Sequence, residues 1–139
     1  MIQPVSDIKT IAVLTSGGDS PGMNAAVRSV VRTAAAFNIE VWAVYHGYQG
    51  LIEGEFEKMG THSVSNIIQR GGTILKSARS TEFRTKEGRA KAAAQLAERN
   101  IDALVVIGGD GTFTGSNILS NEHNINVVGI PATIDNDII

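Results

Sequence analysis

Short uninterrupted apolar runs punctuate this chain, and most are followed by a stretch in which apolar residues recur every three or four positions. Ile11-Ala-Val-Leu14, within Lys9 to Thr15, shows no alternation with polar residues and so predicts a strand covered on both faces, as in a parallel sheet. Ala103 to Ile107 predicts a core strand of this kind, and Glu40 to Tyr45 and Val127 to Ile130 predict further strands. After the first run, Met23, Ala26, Val27, Val30, Val31 and Ala34 keep helical spacing, with Asp19 or Ser20 available as cap and Pro21 tolerated at the helix start. Val64, Ile67 and Ile68 predict a short helix over Ser63 to Arg70. Thr85 to Arg99 predicts an alanine-rich helix with Ala90, Ala93, Ala94, Leu96 and Ala97 on one side, closed by Asn100. Another helix is expected from about Thr112 to Leu119, whereas Gly47, Gly50 and Gly54 read as a loop. Trp42 is expected to pack against a helix or an interface. Strands alternating with helices argue for an α/β protein with a mostly parallel sheet and right-handed crossovers.

Composition narrows this picture. At 139 residues and 42% hydrophobic content the chain suits one domain with a real core and not two. Its 15 glycines gather at Gly17-Gly18, Gly71-Gly72 and Gly108-Gly109-Asp-Gly111, the pattern of loops that approach a ligand and not of a flexible linker. A net charge of -2 gives no nucleic-acid footprint. With no cysteine there is neither a disulfide nor a cysteine metal site. Met1 to Asp7 lacks the basic start and apolar core of a signal peptide, and no apolar run reaches membrane-spanning length, so a cytoplasmic soluble protein is expected. His46, His62 and His123 are far apart in dissimilar contexts and are assigned no metal.

The candidate chemistry lies where the apolar runs end. Val105-Val-Ile-Gly-Gly-Asp-Gly-Thr112 joins a buried strand to a glycine turn and a helix, a junction whose backbone N–H groups suit phosphate. Asp110 on that turn would repel phosphate directly, so a bridging magnesium ion is the natural mediator. Thr15-Ser-Gly-Gly-Asp-Ser-Pro-Gly22 forms a second glycine loop, with more glycine and hydroxyl than a plain turn needs. Thr133-Ile-Asp-Asn-Asp137 places a hydroxyl and two carboxylates after a third strand, at the edge where open α/β sheets bind ligands. Together these supply a phosphoryl-transfer inventory: a phosphate cradle, a metal-binding carboxylate, and Asp135 as base toward an attacking hydroxyl. Thr133 could bond the moving phosphoryl group, and Asp137 could orient Asp135 or serve the metal. The same Asp-Asn-Asp could also be a turn or a cap. Arg28 and Arg32, four residues apart, read either as a solvated helix face or as a paired anion clamp. Arg79, alone in a polar stretch, reads equally as an ordinary surface residue or as one that reaches phosphate.

Four segments carry a resemblance: Ile11 to Ala26, Gly71-Gly-Thr-Ile-Leu-Lys-Ser-Ala-Arg79, Val105 to Thr112, and Pro131 to Ile138. In that order and spacing the chain resembles the bacterial ATP-dependent 6-phosphofructokinases from Lys9 nearly to its end. The resemblance implies a Rossmann-like, mostly parallel sheet flanked by helices, the first lobe of the phosphofructokinase fold. It implies transfer of a phosphoryl group from MgATP to the 1-hydroxyl of fructose 6-phosphate. Gly18 would give its N–H to ATP phosphates, and Arg79 with Ser80 would contact the nucleotide. Gly109, Asp110, Gly111 and Thr112 would continue that site, with Asp110 serving magnesium. Thr133, Ile134 and Asp135 match the family's sugar-phosphate contacts, Asp135 matches its base, and Arg28 and Arg32 match its effector-binding arginines. ADP or phosphoenolpyruvate are then the expected effectors, and a homotetramer the expected assembly.

Departures accompany the match. Thr61 and Asn66 stand where many bacterial members have arginine and aspartate, which implies weakened or altered effector binding. Gly111 and Ala132 stand where pyrophosphate-dependent relatives usually carry aspartate and lysine, which favours ATP as donor. Family members run to more than twice this length, so residues 1 to 139 are expected to form the ATP-side lobe, weakly active or inactive by itself. The rival readings are a pyrophosphate-dependent phosphofructokinase, a NAD or lipid kinase that shares only Gly-Gly-Asp-Gly-Thr, and a nucleotide-binding module without turnover.

Overall fold

The computed structural model describes residues 8–16, 21–59 and 80–132. In chain order these form β1 (Thr10–Thr15), α1 (Pro21–Ala36), β2 (Glu40–Val44), α2 (Gly47–Glu53), β3 (Phe56–Met59), a 3-10 turn (Glu82–Arg84), α3 (Lys86–Glu98), β4 (Ala103–Gly108), α4 (Asp110–His123) and β5 (Asn126–Pro131). One five-stranded sheet runs in the order β3-β2-β1-β4-β5. Its pairings are parallel except for the antiparallel β2–β3 edge. The α/β class and the mostly parallel sheet therefore match the sequence expectation.

The continuous apolar runs are explained by the two layers of the core. Along β1 and β4, Ile11, Val13, Ala103, Val105 and Ile107 face α1, where they meet Val27, Val31 and Ala34. Their alternate neighbours Ala12, Leu14, Leu104 and Val106 face the opposite layer with Tyr48, Leu51, Phe83, Ala92, Leu96 and Leu119. Both faces of the central strands are thus covered by helices, which leaves no position where a polar residue could alternate.

Three helices end by one device. Asn38, Asn100 and Asn124 take left-handed φ values of 58°, 56° and 56°, and an isoleucine follows each. The N–H of Ile39, Ile101 and Ile125 turns back to Ala34 O, Leu96 O and Ser120 O at 2.8, 3.0 and 3.3 Å. Each pair satisfies orphan carbonyls and aims the chain at the next strand, with the isoleucine packed at the core margin. Asn100 closes its helix as expected, and the same signal stands at the other two sites.

Two expectations are corrected, and one strand is added. Gly47, Gly50 and Gly54 do not break the chain into a loop: residues 47–53 form α2, which buries Tyr48, Leu51 and Ile52. Gly50 is needed there because a Cβ would sit 1.5 Å from Tyr45 O, while Gly54, at φ 81°, ends the helix. Packing outweighs glycine's helix penalty of about 1 kcal/mol per residue. The following strand, β3, was not anticipated; its Phe56 meets Trp42 edge-on with ring centroids 6.3 Å apart, while Trp42 also packs, as expected, on the helix-lined core layer, with Arg99 at the end of α3 over its ring. On α3 the inner face is Gly88, Arg89, Ala92 and Leu96, while Ala90, Ala94 and Ala97 are exposed. Alanines on every side of that helix left its periodicity without direction. The predicted Ser63 to Arg70 helix lies outside the described residues.

Candidate functional site

Strand order reverses between β1 and β4: β2 lies on one side of β1, and the chain returns to place β4 on the other. In an open α/β sheet the crevice outside the carboxyl ends at such a point is the ligand-binding place. Thr15 and Gly108 end those two strands, so β1 delivers Ser16 and β4 the third glycine cluster to this edge.

The edge is stitched tightly. Ser16 N–H donates to Ile107 O at 2.9 Å, and Thr112 Oγ1 donates to Ser16 O at 3.4 Å. Ala132 N–H donates to Gly108 O at 3.0 Å, which brings the exit of β5 to the same place. Gly108 admits no side chain, because a Cβ would lie 2.4 Å from Thr112 Oγ1 and 2.5 Å from Ser16 O. Its glycine is therefore explained by packing alone.

Gly109 and Gly111 differ. A Cβ on either meets no described atom within 4 Å, and both residues are exposed. Gly109 is the N-cap of α4 and supplies no side-chain cap, so the first-turn N–H groups lack the partner that a serine or aspartate cap would offer. The helix dipole adds positive potential at the same spot. An anion can approach this backbone closely, and the two glycines keep the approach open. Asp110, exposed in the first turn of α4, adds a carboxylate. Among the described residues no group of three or more acidic, histidine or cysteine side chains could hold a metal. A lone carboxylate beside a phosphate cradle still fits magnesium, which keeps several waters and takes its other oxygens from the nucleotide.

Behind the cradle stands a rigid support. Tyr48 OH donates to Thr112 O at 2.5 Å, and burial pushes its phenol pKa up. Its ring stacks on Phe83 with centroids 3.9 Å apart, and both rings lie against Gly115 of α4. Arg89 donates from Nε and Nη2 to the two carboxylate oxygens of Glu122 at 2.6 and 3.0 Å, and from Nη1 to Phe83 O at 3.0 Å. Those bonds hold the Glu122 carboxyl below the usual carboxylate range and join α3, α4 and the 3-10 turn. Sequence reasoning missed this support. Nothing in the sequence singled out Arg89, and Tyr48 fell in the segment read as a loop.

Of the residues singled out from the sequence, Gly109, Asp110, Gly111 and Thr112 come together at the edge. Ser80 lies two residues before the 3-10 turn, where its oxygen accepts Phe83 N–H at 3.2 Å. Arg28 and Arg32 lie elsewhere, on α1, which covers the other face of the sheet from the 3-10 turn. Arg28 is partly exposed and Arg32 exposed, and among the described residues neither forms an ion pair. Gly18, Arg79, Thr133, Ile134, Asp135 and Asp137 lie outside the described residues, as do Thr61 and Asn66. No helix among the described residues is long and apolar enough to cross a membrane.

Residues 10–139 match the family model described as Phosphofructokinase. The chain is 61% identical over 131 residues to an ATP-dependent 6-phosphofructokinase of Clostridium botulinum, covering 94% of this chain and 41% of that protein. An ATP-dependent 6-phosphofructokinase 1 of Thermus thermophilus is 59% identical with the same coverage. The structure of phosphofructokinase from Saccharomyces cerevisiae superposes with a TM-score of 0.86 at 45% identity, covering 93% of this chain and 20% of that one. The chain thus spans about 41% of the length of the curated relatives it matches.

Proposed function

The chain belongs to the phosphofructokinase family, and from that premise we propose that residues 1 to 139 form the ATP-side lobe of an ATP-dependent 6-phosphofructokinase. The complete enzyme would transfer the γ-phosphoryl group of ATP to the 1-hydroxyl of fructose 6-phosphate. The observation that carries this reading is the uncapped start of α4, opened by Gly109 and Gly111 at the point where strand order reverses. It supports a phosphate cradle, because among the described residues nothing packs where side chains on Gly109 and Gly111 would stand.

In this reading the N–H groups of Gly18 and of Gly109 to Thr112 receive the nucleotide's phosphates, and Arg79 neutralises part of their charge. Ser80 borders the nucleotide, and Ala132, with its small side chain, leaves room for it. Asp110 would hold a magnesium ion that supplies charge neutralisation at the phosphate oxygens. Thr133, Ile134 and Asp135 hold the sugar phosphate, and Asp135 takes the proton of the attacking hydroxyl. Asp137 orients Asp135. Arg28 and Arg32, unpaired among the described residues and on the far layer, form an anion clamp for ADP or phosphoenolpyruvate as effector. The complete enzyme is proposed as a cytoplasmic homotetramer.

The Asp110 role has a direct test. Asp110→Asn is expected to leave ATP affinity in chelator nearly unchanged and to remove most of the gain that magnesium gives the native protein. Titration of both forms with ATP, with and without Mg2+, measures this. An undiminished magnesium effect in the variant would take Asp110 out of the metal site.

A further inference from the structure

Ser80 was carried into the nucleotide site as a contact, yet its hydroxyl is already committed. Ser80 Oγ donates to Gln49 Oε1 at 2.6 Å, and the same oxygen accepts Phe83 N–H. A serine has one hydroxyl proton, so none remains for a phosphate oxygen. Gln49 sits on α2 and is partly buried. Its Nε2 donates to Glu53 Oε2 at 2.9 Å and to Glu82 Oε1 at 3.2 Å. Glu82 receives Lys91 Nζ on its other oxygen at 3.0 Å, and Lys91 with Gln49 holds the Glu82 carboxyl below its ordinary range. The amide has one satisfied orientation, because turning it over would point its oxygen at two carboxylates. Gln49 therefore fastens both ends of the Ser80-Thr-Glu82 segment to α2.

We propose that Gln49 is a positioning residue of the nucleotide site: it withdraws the Ser80 hydroxyl from the ligand and fixes the segment directly after Arg79. The nucleotide then meets the Ser80-to-Glu82 segment through its backbone, not through the Ser80 side chain. This inference rests on the proposed ATP site, and within it makes Ser80 a latch. Neither residue has to touch ATP for its loss to weaken binding.

A double-mutant cycle on Mg·ATP affinity separates latch from contact. Gln49→Leu and Ser80→Ala are each expected to weaken Mg·ATP binding about fivefold, the size of one neutral hydrogen bond, and the double variant no further than either alone. In the active enzyme KM for ATP rises in both variants, while kcat and KM for the sugar phosphate stay at native values. Thermal melts accompany each titration, so that a variant with a lost cooperative transition is replaced by Gln49→Met, for which the same coupling is expected. Independent, multiplying losses would overturn the inference by making Ser80 a direct contact. Native affinity in Gln49→Leu would overturn it too. Absence of ATP binding by the native protein is a different result, which removes the proposed site and this inference with it.

Discussion

Asp135→Asn is expected to lower kcat of the complete enzyme by about 10²–10⁴-fold while leaving ATP affinity nearly intact. Asparagine keeps the size and shape of the side chain but cannot accept a proton from the attacking hydroxyl. The loss would fall on kcat and kcat/KM together, as it does when an interaction made only in the transition state is removed. Position in the chain supports the assignment, since Ala132 N–H is bonded to Gly108 O at the head of the phosphate cradle and Asp135 follows three residues later. Steady-state kinetics and equilibrium binding on the same preparation check it. A parallel loss of ATP binding would mean that Asp135 helps to hold the nucleotide or the fold, and the base would have to be sought elsewhere.

Gly111→Ala is expected to divide stability from function. Gly111 lies in the first turn of α4, is exposed, and has no described atom within 4 Å of where a Cβ would stand. Alanine there meets no described atom, and helix propensity favours it by up to about 1 kcal/mol. In the proposed site the methyl group enters the space that a phosphate oxygen needs to reach the backbone N–H. Affinity for Mg·ATP should fall at least about tenfold, or about 1.4 kcal/mol, while the melting temperature stays level or rises. Unchanged affinity in a stabilised variant would show that the ligand does not use this turn. Gly108 is the internal contrast, because Thr112 and Ser16 already fill the space around it.

Much of the fold was legible because the central strands are covered on both faces. Ile11 to Leu14 and Val105 to Ile107 read as buried strands because no polar residue alternates within them, and the glycines after β1 and β4 marked the edge where the site opens. Legibility failed where tertiary packing overrides local preference. Gly47, Gly50 and Gly54 signal a break to any reading of propensity, yet Gly50 is required by Tyr45 O and the surrounding residues fold into α2. The alanines of α3 carry no direction, so its buried face was set by Arg89, whose partners Glu122 and Phe83 are 33 and 6 residues away in sequence. The Asn-Ile pairs at 38–39, 100–101 and 124–125 did carry a readable helix stop at all three sites, although only Asn100 was read that way. In the site, glycine spacing and Asp110 were visible from sequence. That Ser80 serves as a latch was not, because its partner Gln49 lies on an element that sequence reasoning did not see.

The central claim is that the edge between β1 and β4 binds a nucleoside triphosphate and that Gly111 and Ala132 suit it to ATP over pyrophosphate. Calorimetric titration of the protein with Mg·ATP, run beside an identical titration with pyrophosphate, tests it most directly. Saturable binding of ATP at one site per chain, with none of pyrophosphate, is the predicted result. A protein that melts cooperatively and binds no ATP, or binds pyrophosphate as well as ATP, would contradict it.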